Sequence, residues 1–289
     1  MEFREKAYAK LNISLDVGAR RADGYHEMNM VMQTVKLCDE LSVSTTEDGQ
    51  ISARSNLRFI PNDERNLAVK AARVFLDAAE ISGQGLLLTL HKRIPVGAGM
   101  AGGSSDAAAV LRLLNRMYED RFTRSELEKL AEQVGSDVAF CVSGGTALAR
   151  GRGEILEDLP PLPDCRIVVC KPEFSISTPE LFKKLDSAPV RHHPDTAGIL
   201  KALGDGDLRA ICRRMYNVFE DVGDRRMRTV AQIKSRMLDY GALGSIMTGT
   251  GSAVFGVFTE EAAADKAAEE LRGEYRFACV TEPMPGLFL

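Results

Sequence analysis

Between Pro95 and Asn115 the sequence reads PVGAGMAGGSSDAAAVLRLLN, with Gly97, Gly99, Gly102 and Gly103 inside seven positions and the hydroxyl pair Ser104 and Ser105 directly behind them. Glycine adopts positive φ and lets another group approach the backbone, at an entropic cost to folding. The apolar stretch LLLTLHK before the glycines reads as a strand. After them Ala107, Val110, Leu111, Leu114 and Met117 recur at helical spacing. The glycines therefore occupy a strand-to-helix turn, with Ser104, Ser105 and Asp106 at the helix start. Free N–H groups in series, together with the positive end of a helix dipole, make an anion site. The chemistry this stretch can do is to hold phosphate, with the glycines leaving room for it; a tight turn alone does not need four glycines and two hydroxyls.

GAGMAG, residues 97–102, fits the dinucleotide pattern G-x-G-x-x-G. That pattern needs a following strand that ends in an acidic residue about 20 positions on. Here YEDRFTRSELEKL follows instead, a turn and another helix, so the nicotinamide reading lacks its second half. A phosphate loop of the Walker type is absent, because no Gly-Lys-Ser/Thr follows the glycines. A second glycine cluster, TGTGSAVFG, spans residues 248–256 between two expected strands. Alone it is a hairpin turn; coupled to the first cluster, Gly249, Thr250 and Gly251 close over phosphates from the opposite side.

Nearer the start of the chain, Leu11, Ile13, Leu15 and Val17 alternate with Lys10, Asn12, Ser14 and Asp16, a strand that shows Lys10 and Asn12 on one face. Met28, Met30 and Met32 continue the alternation in an antiparallel set. A helix is expected over 64–79, a second in SELEKLAEQV, and a domain boundary at the proline cluster Pro160, Pro161 and Pro163. Beyond it, helices are expected near 179–186, 195–203, 207–220 and 225–240. With the extra helices set aside, the order is β-α-β-β-α-β, as in ferredoxin-like domains.

The 289 residues suffice for one large domain or two ordinary ones, and 45% hydrophobic with 27% charged residues is the balance of a globular chain. A net charge of −4 gives no reason to expect nucleic acid or an anionic membrane as a partner. No apolar run approaches membrane-spanning length and the first residues do not resemble a signal peptide, so the cytoplasm is the expected location. Six scattered cysteines without C-x-x-C spacing read as reduced and structural. His192 and His193, with Asp195 nearby, read as a solvated loop rather than a metal site.

Three stretches together resemble the GHMP small-molecule kinases: AKLNISLDV with RADGYHE, PVGAGMAGGSSDAA, and MTGTGSAVFG. DGYHE, residues 23–27, and AKLN, residues 9–12, are most similar to the diphosphocytidyl branch. The resemblance spans the chain and implies an α+β, two-domain fold: an N-terminal, ATP-binding domain like the second domain of ribosomal protein S5 over residues 1–159, and a ferredoxin-like C-terminal domain over 160–289. It implies an ATP- and Mg2+-dependent transfer to the 2-hydroxyl of a cytidyl diphosphate sugar-alcohol, in non-mevalonate isoprenoid precursor synthesis, by a monomer or homodimer. Residue by residue, it implies ATP on Pro95, Val96, Gly97, Ala98, Gly99, Met100, Ala101, Gly102, Gly103, Ser104 and Ser105, with Ser104 a Mg2+ ligand. It implies substrate on Asn12, Tyr25, His26, Thr178 and Phe182, the cytosine lying between Tyr25 and Phe182 with His26 at its edge. It implies catalysis by Lys10 and Asp137. On capping chemistry alone, Gly-Ser-Asp before an apolar helical run reads Asp137 as a helix N-cap. A non-catalytic nucleotide-binding module and a nicotinamide enzyme remain the alternatives.

Overall fold

The computed structural model describes residues 3–187, 190 and 192–288. Two long strands, β1 (Phe3–Arg20) and β2 (His26–Thr46), form an antiparallel ribbon in which Lys10 pairs with Thr34 and Asn12 with Met32. The register shifts between Tyr8 and Lys10 and again between Asn12 and Ser14. Ala9, Leu11 and Ile13 therefore join one apolar cluster, while Ala7, Leu15 and Val17 join another. Bulges re-aim side chains in this way, and here they set the segment carrying Lys10 and Asn12 apart from the rest of its strand. The expected half-exposed strand is in fact buried on both faces over residues 9–15: C-terminal residues such as Ile167, Val169 and Phe255 pack with Ala9, Leu11 and Ile13, while on the other side Lys10 meets Asp137 and Asn12 meets Met30.

The ribbon continues into β3 (Ile51–Ser55), α1 (Leu67–Ala78), β4 (Gly85–His91), α2 (Gly102–Met117), α3 (Arg124–Glu132), α4 (Val138–Ser143), β5 (Thr146–Gly151) and β6 (Ile155–Asp158). The sheet order is β3-β4-β2-β1, with β5 on β2 and β6 on β5. Helix α1 starts at Leu67 rather than at residue 64, because the Asn66 side chain accepts from the Ala68 amide and caps it. Helix α3 carries a capping box of Thr123 and Glu126.

Past the prolines come β7 (Arg166–Lys171), α5 (Thr178–Ser187), α6 (Thr196–Gly204), α7 (Leu208–Cys212), β8 (Tyr216–Asn217), α8 (Met227–Asp239), β9 (Gly244–Met247), β10 (Val254–Phe258), α9 (Glu261–Arg272) and β11 (Phe277–Thr281). Their antiparallel sheet has the order β11-β7-β10-β9, the ferredoxin-like arrangement read from the sequence. The expected helix over 207–220 stops at Cys212, and β8 pairs in parallel with Ser14 and Leu15 of the first sheet. Asn217 is the reason: its side-chain amide donates to the carbonyls of Met247 and Gly249, a tertiary contact that outweighs helix propensity.

All six cysteines are free. Burial pushes the thiols of Cys141, Cys165, Cys170 and Cys212 up to about 12. Among the described residues, no helix is long and apolar enough to cross a membrane.

Candidate active site

A cavity of about 630 Å³ lies where the glycine-rich loop, the tip of the β1–β2 ribbon, α5 and the second glycine cluster converge. Its walls bring together Lys10, Tyr25, His26, residues 95–104, Asp137, Thr178, Phe182, Gly249, Thr250 and Gly251. Of the residues singled out in the sequence, Asn12 and Ser105 are absent from this wall.

The loop is built with opposite polarities on its two sides. The Ala98 carbonyl accepts from the Ala253 amide, Gly99 from the Thr248 hydroxyl, Met100 from the Lys10 amide, Ala101 from the Ser105 amide and Gly102 from the Lys92 ammonium. The amides of residues 97–104 donate to no acceptor among the described residues. Gly97, Gly99 and Ala101 have φ of 63°, 76° and 58°, separated by residues of negative φ, the alternation that turns successive N–H groups toward one anion. These amides meet the N-terminus of α2, where Ala101 sits at the cap position with no side-chain cap. The result is an array of unpaired donors on the wall of a cavity, the make-up of a phosphate cradle.

Two expectations about this loop change. The Ser105 hydroxyl points inward and donates to the Tyr8 carbonyl at 2.6 Å. Its amide is bound within the helix, so it has no donor for a phosphate. Gly99 owes its type to domain packing rather than to room for phosphate: a Cβ there would lie 2.2 Å from the Thr248 carbonyl oxygen. A Cβ on Gly102 would meet the Ile94 side chain at 3.2 Å.

Asp137 stands at the N-cap position of α4 but makes no side-chain cap bond. Its carboxylate instead lies 3.5 Å from the Lys10 ammonium. Lys10 is buried and donates at 2.7 Å to Asn12 Oδ1. Asn12 is wholly buried behind it, its backbone N–H donating to the Thr248 hydroxyl at 3.1 Å. Asn12 therefore orients Lys10 and has no contact with the cavity. Thr248 ties β1, the glycine loop and the second glycine cluster together through one hydroxyl; its position in MTGTG was the available signal.

At one end of the cavity the rings are arranged differently from the expected base sandwich. The imidazole of His26 is stacked on Phe182, centroids 5.1 Å apart, and Phe219 meets Phe182 edge-on at 5.0 Å. His26 Nε2 lies 2.7 Å from a carboxylate oxygen of Asp186 in α5. Tyr25 is exposed, with the Arg152 guanidinium 5.2 Å above its ring. Ile60, Pro61, Arg65, Asn66, Leu67 and Ile94 also line the cavity, a group that the sequence reading missed; the Asn66 cap ahead of α1 was its only local mark. His193, from the loop read as solvated, pairs with Asp16 at 2.7 Å, and no group of three or more metal-binding side chains occurs among the described residues.

Beneath the cradle lies a buried cluster of Asp39, Lys92 and Asp106. Burial, with Asp39 as a second carboxylate, raises Asp106 from 3.8 to about 7, against the pull of Lys92. The unfolded chain ionises Asp106 near pH 4 while the folded chain holds its proton to about 7. The native state thus binds more protons between these values, and this group's contribution to stability falls as pH rises from about 4 to about 7 and is level above. Asp106→Asn is expected to gain stability relative to the parent progressively across that window. Melting temperatures at pH 5, 6, 7 and 8 check it, and a difference independent of pH would refute it.

The cradle and the Lys10–Asp137 pair have the make-up of a phosphoryl-transfer site, where catalysis is mainly positioning and charge neutralisation. The glycine-rich loop does not open the parallel β-α-β unit of a dinucleotide site: after α2 come α3 and α4, and β5 joins the sheet antiparallel to β2. Residues 66–145 match the sequence model of the GHMP kinases N terminal domain, and residues 199–276 that of the GHMP kinases C terminal domain. The 4-diphosphocytidyl-2-C-methyl-D-erythritol kinase of Clostridium perfringens is 41% identical over 275 residues, covering 95% of each chain. That of Brevibacillus brevis is 44% identical over 273 residues, 94% of this chain and 93% of its own. A crystal structure of 4-(cytidine 5'-diphospho)-2C-methyl-D-erythritol kinase superposes with a TM-score of 0.81 at 34% identity, covering 98% of this chain and 100% of its own. The homoserine kinase of Cytophaga hutchinsonii shares the fold, with a TM-score of 0.76 at 20% identity over 99% of this chain and 95% of its own. With its cradle, its lysine–aspartate pair and relatives along nearly its whole length, the chain belongs to the GHMP kinase family, in the branch of the 4-diphosphocytidyl-2-C-methyl-D-erythritol kinases.

Proposed function

We propose that the protein transfers the γ-phosphoryl group of ATP to the 2-hydroxyl of 4-diphosphocytidyl-2-C-methyl-D-erythritol, a step in making isoprenoid precursors. The observation that carries this reading is the loop whose carbonyls, residues 98–102, are bound by the protein while its amides, residues 97–104, lie on the wall of the cavity beside Lys10 and Asp137. ATP phosphates take the amides, and the purine lies by Asn66 and Leu67. The pyrimidine of the acceptor joins the ring cluster of Tyr25, His26 and Phe182, where stacking on an aromatic face contributes about 1–3 kcal/mol. Lys10 and Asp137 then sit between donor and acceptor. The Asp137 carboxylate accepts the hydroxyl proton, and Lys10, held by Asn12, stabilises the charge that develops on transfer.

Mg2+ fits the donor set here as an ion carried by the nucleotide: the Ser104 hydroxyl and the Asp137 carboxylate are oxygen donors on the cavity wall, and Mg2+ is commonly held by few protein ligands and the substrate phosphates. When bound, it neutralises phosphate charge. Gly249, Thr250 and Gly251 close the cradle from the second sheet, Thr250 being joined to Thr178 at 2.8 Å. The division into working units falls at residue 160, with β8 the piece that crosses back.

Incubation with ATP, Mg2+ and the cytidyl substrate, followed by ADP release, is expected to give substrate-dependent turnover. Turnover of mevalonate or homoserine with none of the cytidyl compound would overturn the acceptor assignment, and ATP binding without turnover on any of them would leave a binding module instead.

A further inference from the structure

Lys92 lies buried at the foot of the glycine-rich loop and directs its ammonium to three parts of the chain: the Asp39 carboxylate in β2, the Asp106 carboxylate in α2, and the Gly102 carbonyl at 3.2 Å. Asp39, wholly buried, also accepts from the backbone amides of Arg93 and Ile94, the latter at 2.7 Å. One ion cluster thus grips the chain immediately before Pro95 and again at Gly102, on both sides of the cradle. We propose that Asp39, Lys92 and Asp106 are the positioning residues of this loop, fixing the distance between its two ends and so the direction in which the amides of residues 97–104 point. This rests on the reading of the loop as the ATP phosphate site.

Stability does not account for the cluster. A buried ion pair is often no more stable than apolar residues of the same volume, and here two carboxylates share one lysine. Asp106 Oδ1 is buried with no hydrogen-bond partner, and the raised pKa of Asp106 marks the same penalty. What the cluster supplies is a grip that apolar side chains lack. Gly102 has no side chain, so its carbonyl is its only polar handle besides the amide that faces the ligand. Ala101, just before it, is a non-glycine residue at φ 58°, a conformation that costs about 1–3 kcal/mol and persists only where the surroundings enforce it. It is held between the Met100 carbonyl, bound by the Lys10 amide, and the Gly102 carbonyl, bound by Lys92. Asp106, one helical turn beyond Gly102, gives Lys92 a second hold on α2.

The test is steady-state kinetics on the full chain, with KM for ATP and for the cytidyl substrate determined separately, alongside calorimetric binding of ATP. The variant Lys92→Met combined with Asp106→Asn removes the lysine without leaving two unpaired carboxylates. It is expected to raise KM for ATP about ten- to a hundredfold, as the loss of one or two charge-assisted bonds implies, while KM for the cytidyl substrate stays within about threefold. Asp39→Asn, which keeps shape but cannot satisfy both the lysine and the two backbone amides, is expected to raise KM for ATP at least about threefold with the same selectivity; it carries the test if the double variant does not fold. Unchanged KM for ATP in a folded variant, or an equal rise for both substrates, would overturn the proposal. Failure of the parent protein to bind ATP would instead overturn the reading of the loop.

Discussion

Asp137→Asn is expected to lower kcat by roughly 10²–10⁴-fold, the contribution typical of a general base, while the affinity for ATP and the melting temperature stay close to the parent values. The carboxylate lies 3.5 Å from the Lys10 ammonium on the cavity wall. Asparagine keeps the shape and can still receive a hydrogen bond from Lys10, but it cannot take up the proton of the acceptor hydroxyl. A structural role would predict something else. An N-cap removed costs about 0.5–2 kcal/mol, yet Asp137 makes no cap bond in spite of its position before α4, so little stability rides on its oxygens. The ATP contacts proposed above are made by backbone amides of the glycine-rich loop, which the substitution leaves alone. Single-turnover rates with both substrates saturating, together with thermal melts, check the expectation. A variant that retains kcat in its folded fraction and melts several degrees early would return Asp137 to the role of a helix cap.

Gly99→Ala is expected to fail through the fold rather than through ATP. The added Cβ would stand 2.2 Å from the Thr248 carbonyl oxygen and 3.0 Å from the Gly251 amide nitrogen, both backbone atoms of the facing glycine cluster, at a φ of +76° that disfavours any side chain. Neither atom can swing aside as a side chain would. Positive φ costs about 1–3 kcal/mol and an overpacked contact about as much again. For a protein of this size that lowers the melting temperature by roughly 3–10 °C. Gly103→Ala is the comparison: its Cβ would meet only Leu67 Cδ1 at 3.7 Å, an ordinary contact, so that variant should melt near the parent. Thermal melts of the two variants decide the matter, and equal melting temperatures would show that the two glycine clusters do not press on each other as the structure has them.

The glycine-rich turn proposed to hold phosphate was legible in the sequence because it is local. Four glycines, two serines and a helix that begins behind them specify a strand-to-helix turn whose amides point one way, and neighbouring residues supply all of it. The alternation in KLNISLDV likewise put Lys10 and Asn12 on one face, and the ferredoxin-like order followed from periodicity alone. Where local pattern met a distant partner, it gave way. The hydroxyl of Ser105 looks like a phosphate ligand beside Ser104, yet a carbonyl 97 positions earlier, that of Tyr8, accepts its proton. Residues 213–220 carry helical spacing, yet Asn217 is drawn to the carbonyls of Met247 and Gly249.

By itself the sequence determined which segments can hold phosphate, which residues share a face of their strand, and which family the motifs resemble, since each depends on spacing within one element. The tertiary structure decided which way Asp137 turns, that Asn12 supports Lys10 from behind, that Gly99 must be glycine for the sake of Thr248, and that Lys92 with its two carboxylates grips both ends of the loop. Side-chain periodicity gives a residue its face; the contact it makes there depends on chain closures such as the 236 positions that separate Asn12 from Thr248, for which a local pattern carries no information.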